Sequence, residues 1–433
     1  MKTVEIKPVL TKPSGIPWLG EVPAHWEVKR LRFSAPLSNE RIEADGEDIR
    51  PYVGMEHIES WTGQLLPLDD DFIPAGISNR MRPGQVLFGK LRPYLAKAWV
   101  TDRDGLCTTE LMVLNAQQYQ ADFLRYLMLS DGFIKLVDSS TQGAKMPRAD
   151  WEFVGNIALP LPPLPEQRAI AAFLDERTAR IDGLLARKRQ LVQLLMEKRQ
   201  ALITRAVGQG LDPRVKLKDS GVPWLGEVPE GWEVKRFKHV VTVWGRIGFR
   251  GYTVDDLVDE GNGALALGAS HITSDGGVDI SEPVFLSWEK YYESPEIMIR
   301  KDDLIVVQRG SVGKVAHVDR DLGPATINPS LVLLKGAKAN PRFLLYVLLG
   351  GYVQSTITTL LNATAVPMLS QQQIGNFDLL LPPREEQDAI VDFIDRETTR
   401  IDALVTKVEA AVERLMEYRT ALISAAVTGK VRV

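Results

Sequence analysis

Two stretches of this chain carry apolar residues at seven-residue spacing, and they set its organisation. Between residues 166 and 207, Leu174, Ile181, Leu195 and Leu202 fall on one row, interrupted by Lys188, with Leu184 and Leu191 on the row beside it. Between 386 and 427 the row is Ile394, Ile401, Val408, Leu415 and Leu422, flanked by Leu404, Ala411 and Tyr418. Such a repeat predicts a long coiled-coil helix in each stretch, on the order of 60 Å at 1.5 Å per residue. Each is preceded by a proline-rich stop, LPLPPLPEQ at 159–167 and LLLPPREEQ at 379–387. Proline suits the turn before a helix because no amide donor is needed there. Ahead of each stop, short β-type runs (Gln85 to Gly89, Leu304 to Val307) mix with turns and one short helical pattern, Asp122 to Leu129 or Pro341 to Leu349. That mixture predicts an α+β domain before each helix.

The resemblance between the two halves is a true repeat. GIPWLGEVPAHWEVKR at 15–30 recurs as GVPWLGEVPEGWEVKR at 221–236, an offset of 206 residues. VGMEHI at 53–58 matches LGASHI at 267–272 with the offset grown to 214. From Phe123/Phe343 and Tyr126/Tyr346 onward the offset is 220, through Met146-Pro147/Val366-Pro367 to NIALPLPPLPEQRAIAAFLDERTARID (156–182) against NFDLLLPPREEQDAIVDFIDRETTRID (376–402). Each copy therefore has a constant frame around an interior that diverges in length and sequence. The expected divisions are 1–30 (repeated segment), 31–155 (first variable domain), 156–210 (first helix), 211–236 (linker and repeated segment), 237–375 (second variable domain) and 376–433 (second helix).

Charge refines this picture. Residues 166–207 hold nine basic and five acidic side chains, and 386–427 hold five and nine, so the helices suit each other as an antiparallel pair. Docking of each helix on its own domain, or on another chain, is the alternative. Overall the chain has net charge −4, so any attraction to nucleic acid must be local. Residues 31–79 hold three basic and ten acidic groups, but 80–148 hold ten and six; 236–300 hold six and ten, but 301–368 hold seven and four. Candidate nucleic-acid contacts therefore concentrate in the later halves: Arg80, Arg82, Lys90, Arg92, Tyr94, Lys97, Gln142, Lys145 and Arg148 in the first copy, and Gln308, Arg309, Ser311 and Lys314 in the second. Cations there can meet phosphates, and Arg or Gln can read purine edges.

Candidate chemistry is thin. No glycine-rich cofactor turn is present, and Asn328-Pro329-Ser330 lacks the second proline and aromatic of an amino-methyltransferase motif. Gly310 to Val315 is two residues too short for a phosphate loop. Glu27-Val28-Lys29 and Glu233-Val234-Lys235 offer half of a nuclease signature without its aspartate. The five histidines lack ligand spacing, and the repeated His57 and His271 sit among apolar residues, as core histidines do. A lone cysteine, Cys107, points to a reducing compartment, and the absence of a leader-like or spanning apolar stretch points to the cytoplasm.

The duplicated WLGEVPxxWEVKR segment, the LPPLPEQRAI boundary and the long helix after each variable domain resemble the specificity subunits of type I restriction-modification systems. The resemblance implies two target-recognition domains, each reading half of a split DNA sequence, joined by an antiparallel helical spacer. It also implies partners: double-stranded DNA, two modification subunits that use S-adenosylmethionine, and ATP-dependent restriction subunits that use Mg. No cofactor is expected on this chain, and it is expected not to be an enzyme. The competing expectation is a coiled-coil scaffold whose variable domains bind proteins; a self-contained restriction enzyme is disfavoured by the missing motifs.

Overall fold

The repeated EVKR segment is a strand, and its partner is the strand that ends the variable interior. Glu27–Arg30 pairs antiparallel with Ala158–Leu161, in the register Ala158↔Arg30 to Leu161↔Glu27. Glu233–Arg236 pairs with Asp378–Leu381 in the same way, Asp378↔Arg236 to Leu381↔Glu233. Each interior is thus a closed excursion between two hydrogen-bonded frame segments, so its length can change without moving either end. Proline is tolerated at position 160 because this two-stranded ribbon is all edge. Within the ribbon, Lys29 pairs with Glu27 at 2.8 Å and Lys235 with Glu233, which accounts for the repeated Glu-x-Lys as cross-pleat ion pairs on one strand.

The computed structural model describes residues 10–45, 50–68, 75–141, 145–222, 225–246, 251–362 and 367–433. They divide into two units, Met1–Arg189 with Glu409–Val433, and Gln190–Val408. Both are α+β. The first holds a three-stranded antiparallel sheet, Leu111–Leu114, Val86–Gly89, Ala98–Val100, and a four-stranded sheet, Arg41–Asp45, Ala75–Met81, Gly105–Cys107, Tyr52–Val53, whose last pair is parallel. The helices Ala121–Met128 and Asp131–Ser139 bury Phe123, Leu127, Phe133 and Ile134 against the three-stranded sheet. Cys107 is a core residue here, its thiol pushed up to about 12 by burial. The second unit repeats the plan with Thr242–Gly245, Leu331–Lys335, Leu304–Val307, Val315–His317 in one sheet and Leu257–Val258, Phe285–Ser287, Gly263–Leu267, Ala325–Ile327 in the other. Its apolar helix Pro341–Leu349 is core, with Phe343 to Leu348 buried, and no single helix among the described residues is long and apolar enough to cross a membrane.

The two long helices, Leu164–Gln209 and Arg384–Val427, run as the heptads predict. In the first unit the Asp182 carboxylate accepts from Arg419 at 2.8 Å and Arg189 reaches Met416 at 4.0 Å, numbers rising on one helix as they fall on the other: the pair is antiparallel. In the second unit Arg199 meets Asp402 at 3.1 Å, while Ile203, Ala206 and Val207 share a core with Ile390, Val391 and Ile394. Leu174, Ile181, Ile394 and Ile401 are buried, and Leu195, Leu202, Val408, Leu415 and Leu422 half-buried. Leu184, Leu191 and Leu404, by contrast, are exposed. The second row runs instead through Ala171, Thr178, Leu185, Val192, Arg199 and Ala206, one position later, and through their equivalents Val391, Thr398, Val405, Val412, Arg419 and Ala426. Alternating steps of three and four keep these positions beside the first row on a 3.6-residue helix.

The two ion pairs of the helices are images of each other: a shift of 220 carries Asp182 onto Asp402 and Arg199 onto Arg419. Each helix supplies one acid and one base, so the net charge difference between the helices is not what joins them at these pairs. Desolvation separates the two copies. Arg419 and Asp182 are 7% and 19% exposed, and Arg419 also donates to the Trp61 carbonyl, whereas Asp402 is 49% exposed. Arg419→Ala strands a desolvated carboxylate and should cost about 3 kcal/mol, while Arg199→Ala should cost about 1 kcal/mol or less. Urea unfolding of the two variants measures this, and equal losses would contradict the asymmetry.

Candidate nucleic-acid interface

Each long helix is locked to its own variable domain by the first residues after the proline stop. The Gln167 side chain accepts from the Gln120 amide at 2.7 Å and donates to the Pro162 carbonyl at 2.8 Å; Gln387 does the same with Asn340 and Pro382 at 2.8 and 2.9 Å. The Trp26 indole donates to Glu166 at 2.8 Å, and Trp232 to Glu386 at 3.1 Å. About two turns on, the Tyr126 hydroxyl donates to Asp175 at 2.7 Å and Tyr346 to Asp395, which explains the repeated tyrosine. Burial pushes the Tyr346 phenol up to about 12. The repeated histidines are also structural: Nδ1 of His57 and of His271 accepts the Gly54 and Gly268 amides at 2.9 and 2.8 Å, capping a single 3-10 turn. Among the described residues no cluster of three or more His, Cys, Asp or Glu could hold a metal ion.

On this frame the later half of each interior builds the same small feature from different residues. In the first domain the chain leaves Val86–Gly89 and runs antiparallel beside Pro147–Ala149, with Ala149 N donating to Lys90 O at 2.9 Å, Arg92 N to Pro147 O at 2.8 Å, and Leu91 facing Arg148. In the second, Leu369 N donates to Gln308 O at 3.1 Å and Arg309 faces Met368. The turns that follow differ. Arg92 and Ala96 adopt left-handed φ of 50° and 46° around Pro93–Leu95, whereas Gly310 and Gly313, at 83° and 91°, make the tight hairpin between Leu304–Val307 and Val315–His317. The glycine-rich turn is therefore a hairpin, as its short spacing required, and a Cβ on Gly313 would press on Ile357 at 3.2 Å.

The thirteen sequence candidates separate by what their side chains already do. Lys90, Arg92, Tyr94 and Lys145 have no side-chain partner among the described residues, and Arg92, Tyr94 and Lys145 are exposed. Arg80 is paired with Asp104 at 3.1 Å, Arg82 with Glu40 at 2.8 Å and Arg148 with Glu110 at 2.9 Å, each on the surface. Arg309 and Ser311 are exposed. Lys97 and Lys314 instead donate to the carbonyls of Met55 and Ile272 at 2.6 and 3.2 Å, and the buried Gln308 amide to Pro329 at 2.9 Å. The polar head groups of these three hold loops together. Burial lowers the Lys97 amine below the usual lysine range, against the pull of Glu56. Gln142 lies outside the described residues, as does Val366 of the repeat.

One group the charge count could not reveal is the polar rim around Lys90 and Arg148. Asn39, Arg41 and Asn79 line a cavity of about 440 Å³ with them. They come from the acidic half of the interior, where ten carboxylates outweigh three arginines in any net count.

The comparisons with known proteins converge on one family. Residues 229–414 match the family described as "Type I restriction modification DNA specificity domain". The chain is 22% identical to the type I restriction enzyme MjaVIII specificity subunit of Methanocaldococcus jannaschii over 95% of its length and 94% of that protein's. It is 22% identical to the EcoBI specificity subunit of Escherichia coli over 80% of its length and 74% of that protein's. Its fold matches a chain from a structure titled for assembly and conformational transition of the type I R-M system, with TM-score 0.74, 22% identity and coverage of 95% of this chain and 99% of that one. The HsdS subunit from Thermoanaerobacter tengcongensis matches with TM-score 0.51, 22% identity, 95% of this chain and 98% of that one.

The division of labour among the lysines makes one prediction. Lys97→Met should lower stability by about 1–3 kcal/mol, the range for removing a charged hydrogen bond to a buried group, with any affinity for DNA nearly unchanged. A thermal melt and a DNA titration of the folded variant check it; lost affinity with unaltered stability would return Lys97 to the interface.

Proposed function

The chain belongs to the specificity subunits of type I restriction-modification systems, and we propose that each variable domain reads one half of a bipartite DNA target through the later part of its interior. The observation that carries this reading is the paired frame: two different interiors are held by the same strands, glutamines and tryptophans. A common frame with unlike interiors is what two unlike half-sites need. Lys90, Arg92, Lys145 and Arg148 supply phosphate and base donors in the first domain, and Arg309 and Ser311 in the second; Arg80 and Arg82 remain as surface cations paired with Asp104 and Glu40.

The chain recognises DNA and leaves the chemistry to others. Two modification subunits carrying S-adenosylmethionine and ATP- and Mg-dependent restriction subunits supply methylation and cleavage, in the cytoplasm where the DNA lies. Net charge −4 fits a subunit whose partners complete the grip on DNA. The protein-scaffold alternative has no comparable support. Replacing residues 31–155 by the interior of a relative, with its frame strands kept, should change one half of the methylated sequence in cells that also make the modification subunits. Mapping methylated adenines checks this, and a change in both halves would contradict modular reading.

A further inference from the structure

We propose that the two residues facing each other across the short bridge in each domain read two neighbouring base pairs: Leu91 with Arg148 in the first, Arg309 with Met368 in the second. The inference rests on the DNA-recognition reading and adds the positions that set sequence preference. The backbone establishes the equivalence. Ala149 N to Lys90 O corresponds to Leu369 N to Gln308 O, Gly89 N to Lys97 O corresponds to Val307 N to Lys314 O, and Lys90 N to Glu110 O corresponds to Gln308 N to Ser330 O. Leu91 and Arg309 therefore occupy one place in the frame, and Arg148 and Met368 the place opposite.

At that place each domain shows one guanidinium and one apolar side chain, with the strands that carry them exchanged. Opposed residues of an antiparallel bridge project to the same face. In the second domain they touch, Arg309 Nε lying 2.9 Å from Met368 Sδ. In the first, Arg148 is braced: its Nε and Nη2 donate to Glu110 Oε2 and Oε1 at 3.1 and 2.9 Å. Two of five N–H groups are used, which leaves the outer Nη1/Nη2 edge, the fork that matches guanine O6 and N7. An adjacent apolar chain suits a thymine methyl. The brace is absent from the second copy, where Ser330 takes the place of Glu110, and the Met368 thioether stands there instead. The same frame position thus presents the same chemistry from the opposite strand, a way for a constant scaffold to hold two different readers.

The test uses the complex with modification subunits and a randomised duplex pool, sequencing the bound fraction for wild type, R148K, R309K and E110Q. Lysine keeps the charge and loses the fork. R148K should lose about 10- to 100-fold discrimination at one guanine of one half-site, R309K the same in the other half-site only, with non-specific binding retained. E110Q should weaken preference at the position read by Arg148 and leave the second half-site alone. Unchanged sequence preference in both lysine variants, or a uniform loss of affinity with preference intact, would overturn the proposal. A wild-type complex that enriches no sequence would instead remove the DNA-recognition reading, and this inference with it.

Discussion

The four-residue ribbon between the EVKR strand and the strand before the proline stop is the constraint on which each domain depends. It brings the two ends of a variable interior side by side, so more than a hundred residues can diverge while entry and exit stay fixed. Backbone hydrogen bonds do this work, and they make no demand on the interior's side chains. The closing strand then turns through its prolines directly into the long helix, and the Gln167 and Gln387 side chains tie the helix start to the domain through backbone groups. A change inside the interior therefore need not alter the direction in which the helix leaves.

The same economy governs the helices. Their small and apolar seam positions tolerate substitution, but the twin ion pairs Asp182–Arg419 and Arg199–Asp402 accept few alternatives in register. A slip of one heptad in one direction would set Arg419 against Arg189, and in the other would move both arginines onto Asp175 and Asp395, carboxylates that Tyr126 and Tyr346 already hold. Because each copy contributes the same acid and the same base, the pairing treats the copies alike. Further bonds obey the same exchange: Ser424 accepts the Asp131 amide at 3.1 Å as Thr204 accepts the Gly351 amide at 2.8 Å.

Much of this organisation was legible in the residues, because repeats and heptads are long-range signals that survive local ambiguity. The α+β class, both helices and one seam row follow from them. The second row was not, because Leu184 and Leu185 are both apolar and adjacent, as are Leu191 and Val192, and only packing decides between neighbours. Arg199 and Arg419 reverse the usual inference, since a cation on a helix reads as a solvated face until a carboxylate from another segment meets it. Among the candidate contacts, charge counting could not separate Arg92, which is free of side-chain partners among the described residues, from Lys97, which is spent on a carbonyl. That distinction is set by a contact 42 residues away in sequence.

The central claim is that two equivalent frames hold interchangeable readers. It is tested most directly by a chain in which residues 31–157 and 237–377 change places, each interior inserted between the other's frame strands, followed by mapping of methylated adenines in cells that also make the modification subunits. Frames that treat their copies alike predict the same bipartite sequence as the natural chain, because each reader meets the same strands, glutamine and tryptophan in either place. A methylated sequence with its half-sites in permuted order would contradict the account.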